Sequence, residues 1–338
     1  MRTKVKATDS MENIQKAINE NEVIEFAKGI YKITKTLVIP SNRILLMDGA
    51  VLRRYFSKPV FQSKADKNTK GYNGAHDIKI VGGTIEGMND CGYGASDMVL
   101  LFHTKNVSFI GVTFLDNTGS HAIDLGGCKD TNILSCKFLG CKSIGKDFRE
   151  AIQIDYAYHG GIPYYAEGST CFDDTHCEGV NIIGCEFGKS PSYKPQYVAI
   201  GTHAQTATDK YHKNIVIKGN KAVGNGLSAT GSYGFFTRLV NIRNVEISEN
   251  VVENYGRFVF VDSTPKTTAK GKGCRDIMIK NNFIVDSYDR FKASSVWVDG
   301  TVENRAYNIS LIDNIFDKKD STSNRYVTNF KESGTKII

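Results

Sequence analysis

VSFIGVTF, residues 107–114, returns in altered form along most of the chain. The copies read IKIVGGTI (78–85), TNILSCKF (131–138), VNIIGCEF (180–187), IVIKGNKA (215–222), VEISENVV (245–252), IMIKNNFI (277–284) and ISLIDNIF (309–316). The first and third places are mostly β-branched or aromatic, turn-formers follow, and an apolar residue closes the eighth. Apolar residues two apart mark one face of a strand, and the small residues after them bend the chain into a second strand. The sixth place holds Val112, Cys136, Cys185, Asn220, Asn250, Asn282 and Asn314, so one column is restricted to small or amide side chains. Such a column predicts rungs stacked one above another in a solenoid.

The closest copies start at 107 and 131, 24 residues apart, which is enough chain for one coil of three short strands. Longer steps read as the same coil with loops inserted at a corner. A propeller needs four hairpin-linked strands per repeat and a leucine-rich repeat needs a leucine ladder; neither pattern is present, and a β-sandwich leaves the repeat unexplained. The expected fold is all-β, a single-stranded right-handed parallel β-helix with a short N-terminal capping helix. It forms one domain over 1–338: a cap over 1–22, first irregular coils over 23–70, regular coils over 71–325 and a C-terminal end over 326–338.

Composition narrows the function. Residues 9–20 combine the cap candidates Asp9 and Ser10 with an apolar stripe of Met11, Ile14, Ala17 and Ile18, a helix suited to covering the open end of a stack. No apolar run approaches the ~18 residues of a membrane span, and the basic N-terminus lacks the apolar core of a secretion signal. The net charge is +7, without a basic run, which argues against nucleic acid and fits an acidic glycan. The eight cysteines follow no zinc spacing. Cys136 and Cys185 read as buried thiols, while Cys171 and Cys177, in one insertion, either pair or stay reduced.

Each coil carries another alternating strand: MVLLF (98–102), AIDLG (122–126), AIQID (151–155), VAIGT (198–202), FFTRL (235–239), VFVDS (259–263) and VWVDG (296–300). Aligned on their apolar pairs, they put Asp124, Gln153, Ala199, Phe260 and Trp297 in one outward column. Gly126, Asp155, Gly201, Asp262 and Asp299 fall in a second, with His121 and Glu150 just before their strands. Outward residues of successive rungs stand ~4.8 Å apart, so neighbouring carboxylates reach the separations glycoside hydrolysis uses. Glu150 is the expected general acid, with Asp155 or Asp124 as base or nucleophile and His121 or His203 tuning protonation. Arg149 or Arg238 would hold an anionic sugar substituent beside Gln153. The insertion 156–179, with Tyr156 and Tyr158, reads as a ligand wall or as a loop packed on its own aromatics. The plain alternative is that Arg149 pairs with Glu150 and the aspartates close turns.

On these residues the chain resembles the pectate-lyase/polygalacturonase superfamily of right-handed β-helices, including phage tail-spike depolymerase and receptor-binding domains. Polygalacturonases present Asn-Thr-Asp, Asp-Asp, Gly-His-Gly and Arg-x-Lys on successive rungs. Here those rungs read Gly119-Ser120-His121, Arg149-Glu150, Gly201-Thr202-His203 and Arg238-Leu239-Val240. The resemblance implies a polysaccharide substrate, an extracellular, cell-surface or virion setting, a homotrimer if phage-derived, and no nucleic acid or membrane partner. It implies hydrolysis without a cofactor. A lyase reading would add Ca²⁺, for which Asp173, Asp174 and Glu178 offer carboxylates, and a non-catalytic glycan-binding module would use Phe260 and Trp297 as a stacking strip.

Overall fold

The computed structural model describes residues 1–87, 97–118, 120–142, 150–159, 170–203, 210–226, 234–263, 273–285, 295–317, 322–324 and 327–337. Its strands form three sheets of 12, 10 and 11 members, and within each sheet the neighbours are generally three strands apart in the chain. Every strand pair is parallel, from Arg2–Val5 on Val23–Phe26 to Ile315–Phe316 on Lys336–Ile337. That is a parallel β-helix: each coil contributes one strand to each sheet. The strands within 23–70 pair in the same three sheets as the later coils.

The motif makes a corner. Its first four residues lie in the 12-stranded sheet and its last two in the 11-stranded sheet, as in Lys105–Ile110 and Thr113–Thr118. The fifth place is left-handed in every copy: Gly82, Gly111, Ser135, Gly184, Gly219, Glu249, Asn281 and Asp313 have φ between 51° and 66°. Only glycine takes this conformation freely, so Ser135 and Glu249 hold it at a cost of ~1 kcal/mol. The bend turns the sixth residue inward, where Val112, Cys136, Cys185, Asn220, Asn250, Asn282 and Asn314 are all 0–1% exposed. Gly83 occupies this place in the first copy because a Cβ there would lie 2.5 Å from the Met47 carbonyl oxygen.

The four asparagines form a ladder. Asn220 Nδ2 donates to Asn250 Oδ1, Asn250 to Asn282 and Asn282 to Asn314, each at 2.9 Å. The other Nδ2 bonds go to the carbonyls of Ile182, Ile217 and Ile247, and each oxygen also accepts the backbone N–H of the residue below. The eighth place packs as a stack of rings, Phe114 on Phe138 and Phe138 on Phe187, both with centroids 4.9 Å apart. A second left-handed column precedes the motifs, at Asp77, Asn106, Asp130, Gly179, Asn214, Asn244, Asp276 and Asn308. Its side chains bridge rungs on the surface, as in Asn244 to Asn214 and Asn308 to Asp276, both at 2.7 Å.

The one helix among the described residues runs Met11–Glu20, with Ser10 Oγ accepting the Asn13 N–H as N-cap. Asp9, the other cap candidate, instead accepts from Lys6 N. Met11, Ile14 and Ile18 join the main core. Cys171 and Cys177 are both free thiols, and Cys177 Sγ instead bonds the Leu125 and Asp155 carbonyls.

Asn250→Ala removes the acceptor of the buried Asn220 backbone N–H and one of the two bonds made by Asn220 Nδ2 and by Asn282 Oδ1. A loss of about 3 kcal/mol in urea unfolding is expected; a loss below 1 kcal/mol would show that the ladder contributes little.

Candidate functional site

The strands read as the second apolar set build the 10-stranded sheet. Its rungs open with two consecutive inward residues, as in Ala122-Ile123, Ala151-Ile152 and Ala199-Ile200, which all lie in the main core. This sets the outward columns. The central one is Leu100, Asp124, Gln153, Gly201, Arg238, Phe260 and Trp297. Gly201 thus stands opposite Gln153, where the alternation had placed Ala199. Ala199 faces the core, because a paired inward start shifts the outward phase by one place. Asp155 continues to the position of His203, not of Gly201.

The acidic residues face outward and are nevertheless buried. Asp124 is 5% exposed, Glu150 1%, Gln153 0% and Asp155 2%. Several of their polar atoms have no hydrogen-bond partner among the described residues: Asp124 Oδ1, Glu150 Oε2 and both amide atoms of Gln153. Burial raises the Asp124 pKa well above its ordinary value, and the nearby Asp97 and Asp155 charges push it further the same way.

Glu150 and Asp155 sit at opposite ends of one strand, yet both carboxyl charges act on the His203 imidazole. A Cβ on Gly201 would lie 2.4 Å from Glu150 Cγ and 2.8 Å from its Oε1, so the Glu150 side chain lies across the place a larger residue would fill. Asp155 Oδ2 meets His203 Nδ1 at 2.9 Å, two residues along that neighbouring rung. Asp155 Oδ1 accepts the Tyr156 N–H. Burial pulls the His203 imidazole towards neutrality, but the Asp155 charge and hydrogen bond outweigh it and lift its pKa to about 9.

His121 stands on the rung before Glu150. Its Nδ1 donates to the Glu150 carbonyl at 2.9 Å and lies 3.7 Å from Glu150 Oε2. Gln196 Nε2 donates to the same carbonyl at 2.8 Å. One rung further back is Asp97, which the sequence reading passed over. Its Oδ1 takes the Ser120 hydroxyl at 2.5 Å and the His121 N–H at 3.2 Å. The signal was present: Asp97-Met98-Val99 aligns with His121-Ala122-Ile123.

Other expected residues are engaged elsewhere. Tyr156 is 0% exposed, its hydroxyl donating to the Lys210 carbonyl and its ring 4.1 Å from that of His212, so it is a core residue and not part of a ligand wall. Tyr158 is half-buried; burial raises its pKa, with Asp155 and Asp124 adding to the effect. Arg238 is held by Asp262 at 3.0 Å. Arg149 lies outside the described residues. Asp173 accepts from Gly71 N and from Thr175 N and Oγ1, and Glu178 pairs with Lys213. Those two carboxylates are therefore occupied by protein donors. Phe235, Phe260 and Trp297 stack in succession, with centroids 5.4 and 4.5 Å apart, and the Arg257 guanidinium lies 4.0 Å from the Trp297 ring centre.

No family model matches the chain. The plasmin and fibronectin-binding protein A of Streptococcus pneumoniae is 32% identical over 162 residues, which cover 43% of this chain and 22% of that protein. The match therefore spans about a fifth of the curated relative's length. The crystal structure of PfbA, a surface adhesin of Streptococcus pneumoniae, superposes with a TM-score of 0.74 at 20% identity, covering 97% of this chain and 81% of that one. A family 28 exopolygalacturonase of Yersinia enterocolitica gives 0.63 at 13% identity over 99% and 76%. A tailspike protein mutant of E. coli bacteriophage HK620, in complex with a pentasaccharide, gives 0.63 at 15% identity over 97% and 62%. All are right-handed parallel β-helices, and that is the class to which this chain belongs.

The His203–Asp155 pair predicts a pH effect. The folded pKa of about 9 exceeds the ordinary 6.5. The pair's stabilisation is therefore fully present below pH 6.5 and is lost as pH rises through 9. The His203 side chain is 42% exposed, so solvent screens part of it. In melting curves, wild type should exceed His203→Gln at pH 6 and match it near pH 10 (about one unit above the folded pKa). A constant difference across that range would exclude the charged pair.

Proposed function

We propose that the outer face of the 10-stranded sheet binds a polysaccharide and that Glu150 and Asp155 hydrolyse a glycosidic bond in it. The supporting observation is the Glu150 carboxyl lying over Gly201 while Asp155 meets His203 two residues further along the same rung, so that both charges act on the His203 imidazole. In glycosidases that use a pair of carboxyl groups, one protonates the leaving oxygen and the other activates water or attacks the sugar directly. Glu150 is assigned the acid because its buried Oε2 makes no hydrogen bond to the described residues and so is open to a leaving oxygen. Asp155 is the base, oriented by His203 and the Tyr156 N–H. The adhesin and tailspike relatives support a cell-surface or virion setting and a glycan or host-surface partner. The same reading makes the helix Met11–Glu20 the cover of the first coil.

A second reading, glycan binding without turnover, is favoured by the burial of the same carboxylates. One experiment separates them. The protein is incubated with a panel of cell-wall and capsular polysaccharides, and new reducing ends, unsaturated uronate and retained binding are measured in parallel. Hydrolysis predicts new reducing ends, whose anomeric configuration by NMR separates an inverting from a retaining outcome. Glu150→Gln and Asp155→Asn should each slow release by about 10²–10⁴-fold, and Gly201→Ala should do so by displacing Glu150. Binding that quenches Trp297 fluorescence without new ends supports the second reading. Wild-type rates in Glu150→Gln would remove the assignment.

A further inference from the structure

The hydrolytic pair uses neither Asp97, His121 nor Asp124, and these three form a cluster of their own. One ligand atom from each lies within 4.8 Å of the others. Asp97 and His121 occupy the same position on successive rungs, and Asp124 is the next outward residue after His121. The cluster is on the outer side of the sheet but shielded from solvent: Asp97 is 7% exposed and Asp124 5%.

Two features distinguish it from a chance gathering of acids. Asp124 Oδ1 is buried and has no hydrogen-bond partner among the described residues, whereas buried carboxylate oxygens are ordinarily satisfied. The His121 ring is also prepared as a ligand. Its Nδ1 donates to the Glu150 backbone carbonyl at 2.9 Å, so Nε2 is the nitrogen that remains to meet an ion. A histidine that donates one ring N–H to a carbonyl and offers the other nitrogen is how protein metal sites fix tautomer and ring orientation. The Ser120 hydroxyl and the His121 N–H hold Asp97 from behind in the same way.

We propose that Asp97, His121 and Asp124 bind a divalent transition-metal ion. One imidazole nitrogen with two carboxylates suits Zn²⁺ or Mn²⁺ better than Ca²⁺, which takes six to eight oxygens. Bond lengths of ~2.0–2.2 Å require the three groups to draw in by roughly 1 Å, a movement within reach of side-chain rotation. Three protein ligands leave coordination positions for water or for a hydroxyl of a bound sugar. The site stands independently of the hydrolytic assignment, since it shares no residue with it.

The test uses the whole chain, stripped with EDTA and dialysed against Zn²⁺ or Mn²⁺. Elemental analysis should find one ion per chain, and the melting temperature should rise with metal concentration. Asp97→Asn and Asp124→Asn should weaken binding at least tenfold and abolish the thermal shift. Co²⁺ gives a readout that needs no variant: d–d absorption of a nitrogen–oxygen site, displaced by Zn²⁺. A thiolate charge-transfer band would instead place the ion on cysteine sulfur, as where Cys177 Sγ accepts the Cys128 N–H at 3.3 Å, and overturn the proposal. So would a wild-type chain that retains no ion, or variants that retain it undiminished.

Discussion

Every coil sits on a near-copy of itself, and this repetition constrains each inward position. An inward polar group meets its counterpart ~4.8 Å above and below, so it must be able to bond to a group like itself. An amide can, because it donates and accepts at once. Asn220, Asn250, Asn282 and Asn314 pass one hydrogen bond from rung to rung while their second N–H and shared oxygen satisfy the backbone of the corner. The left-handed residue before each asparagine aims it inward. Thus the corner, the ladder and the register of the three sheets are one structural device.

The same repetition has the opposite consequence outside. A carboxylate cannot donate to a carboxylate, so acids on successive rungs accumulate charge where amides would cancel it. Asp97, Asp124 and Asp155 are close enough that their charges, with burial, hold Asp124 towards its neutral form. Further along the axis the face changes character. Arg238 is balanced by Asp262, and then Phe235, Phe260 and Trp297 pack ring on ring. The glycine at 201 marks the boundary, its missing side chain occupied by Glu150.

Much of this was legible in the sequence because stacking writes itself as repetition. The motif gave the coil, its sixth place gave the ladder, and the apolar pairs gave the sheet that carries the acids. What escaped were features that depend on phase and reach. Each rung of the 10-stranded sheet starts with two inward residues, so strict alternation put Ala199 where Gly201 belongs. Asp97 was missed because its rung was read from the apolar run, one residue too late. Tyr156 looked like a ligand wall by composition, yet its ring turns inward against His212. The closeness of Glu150 to the place of Gly201 involves a side chain crossing to the next rung, which no column of letters records.

The acidic half of the outer face has no structural return that would justify its cost. Removing a carboxylate from water costs several kcal/mol unless partners replace the lost solvation, and here oxygens of Asp124 and Glu150 and the whole Gln153 amide are left without partners among the described residues. The chain solves the equivalent problem cheaply in its interior, with asparagine bonded to asparagine. It also solves it further along this face, where Arg238 meets Asp262. On this face the orphaned atoms of Asp124, Glu150 and Gln153 fall on two consecutive rungs. Unsatisfied buried groups gathered at one place are expected where the missing partner is supplied from outside. A sugar hydroxyl can donate to a carboxylate and accept from an amide, and a divalent cation can neutralise two aspartates at once. The orphaned atoms are the complement of those two ligands, and hydrophobic packing alone offers no reason to keep them.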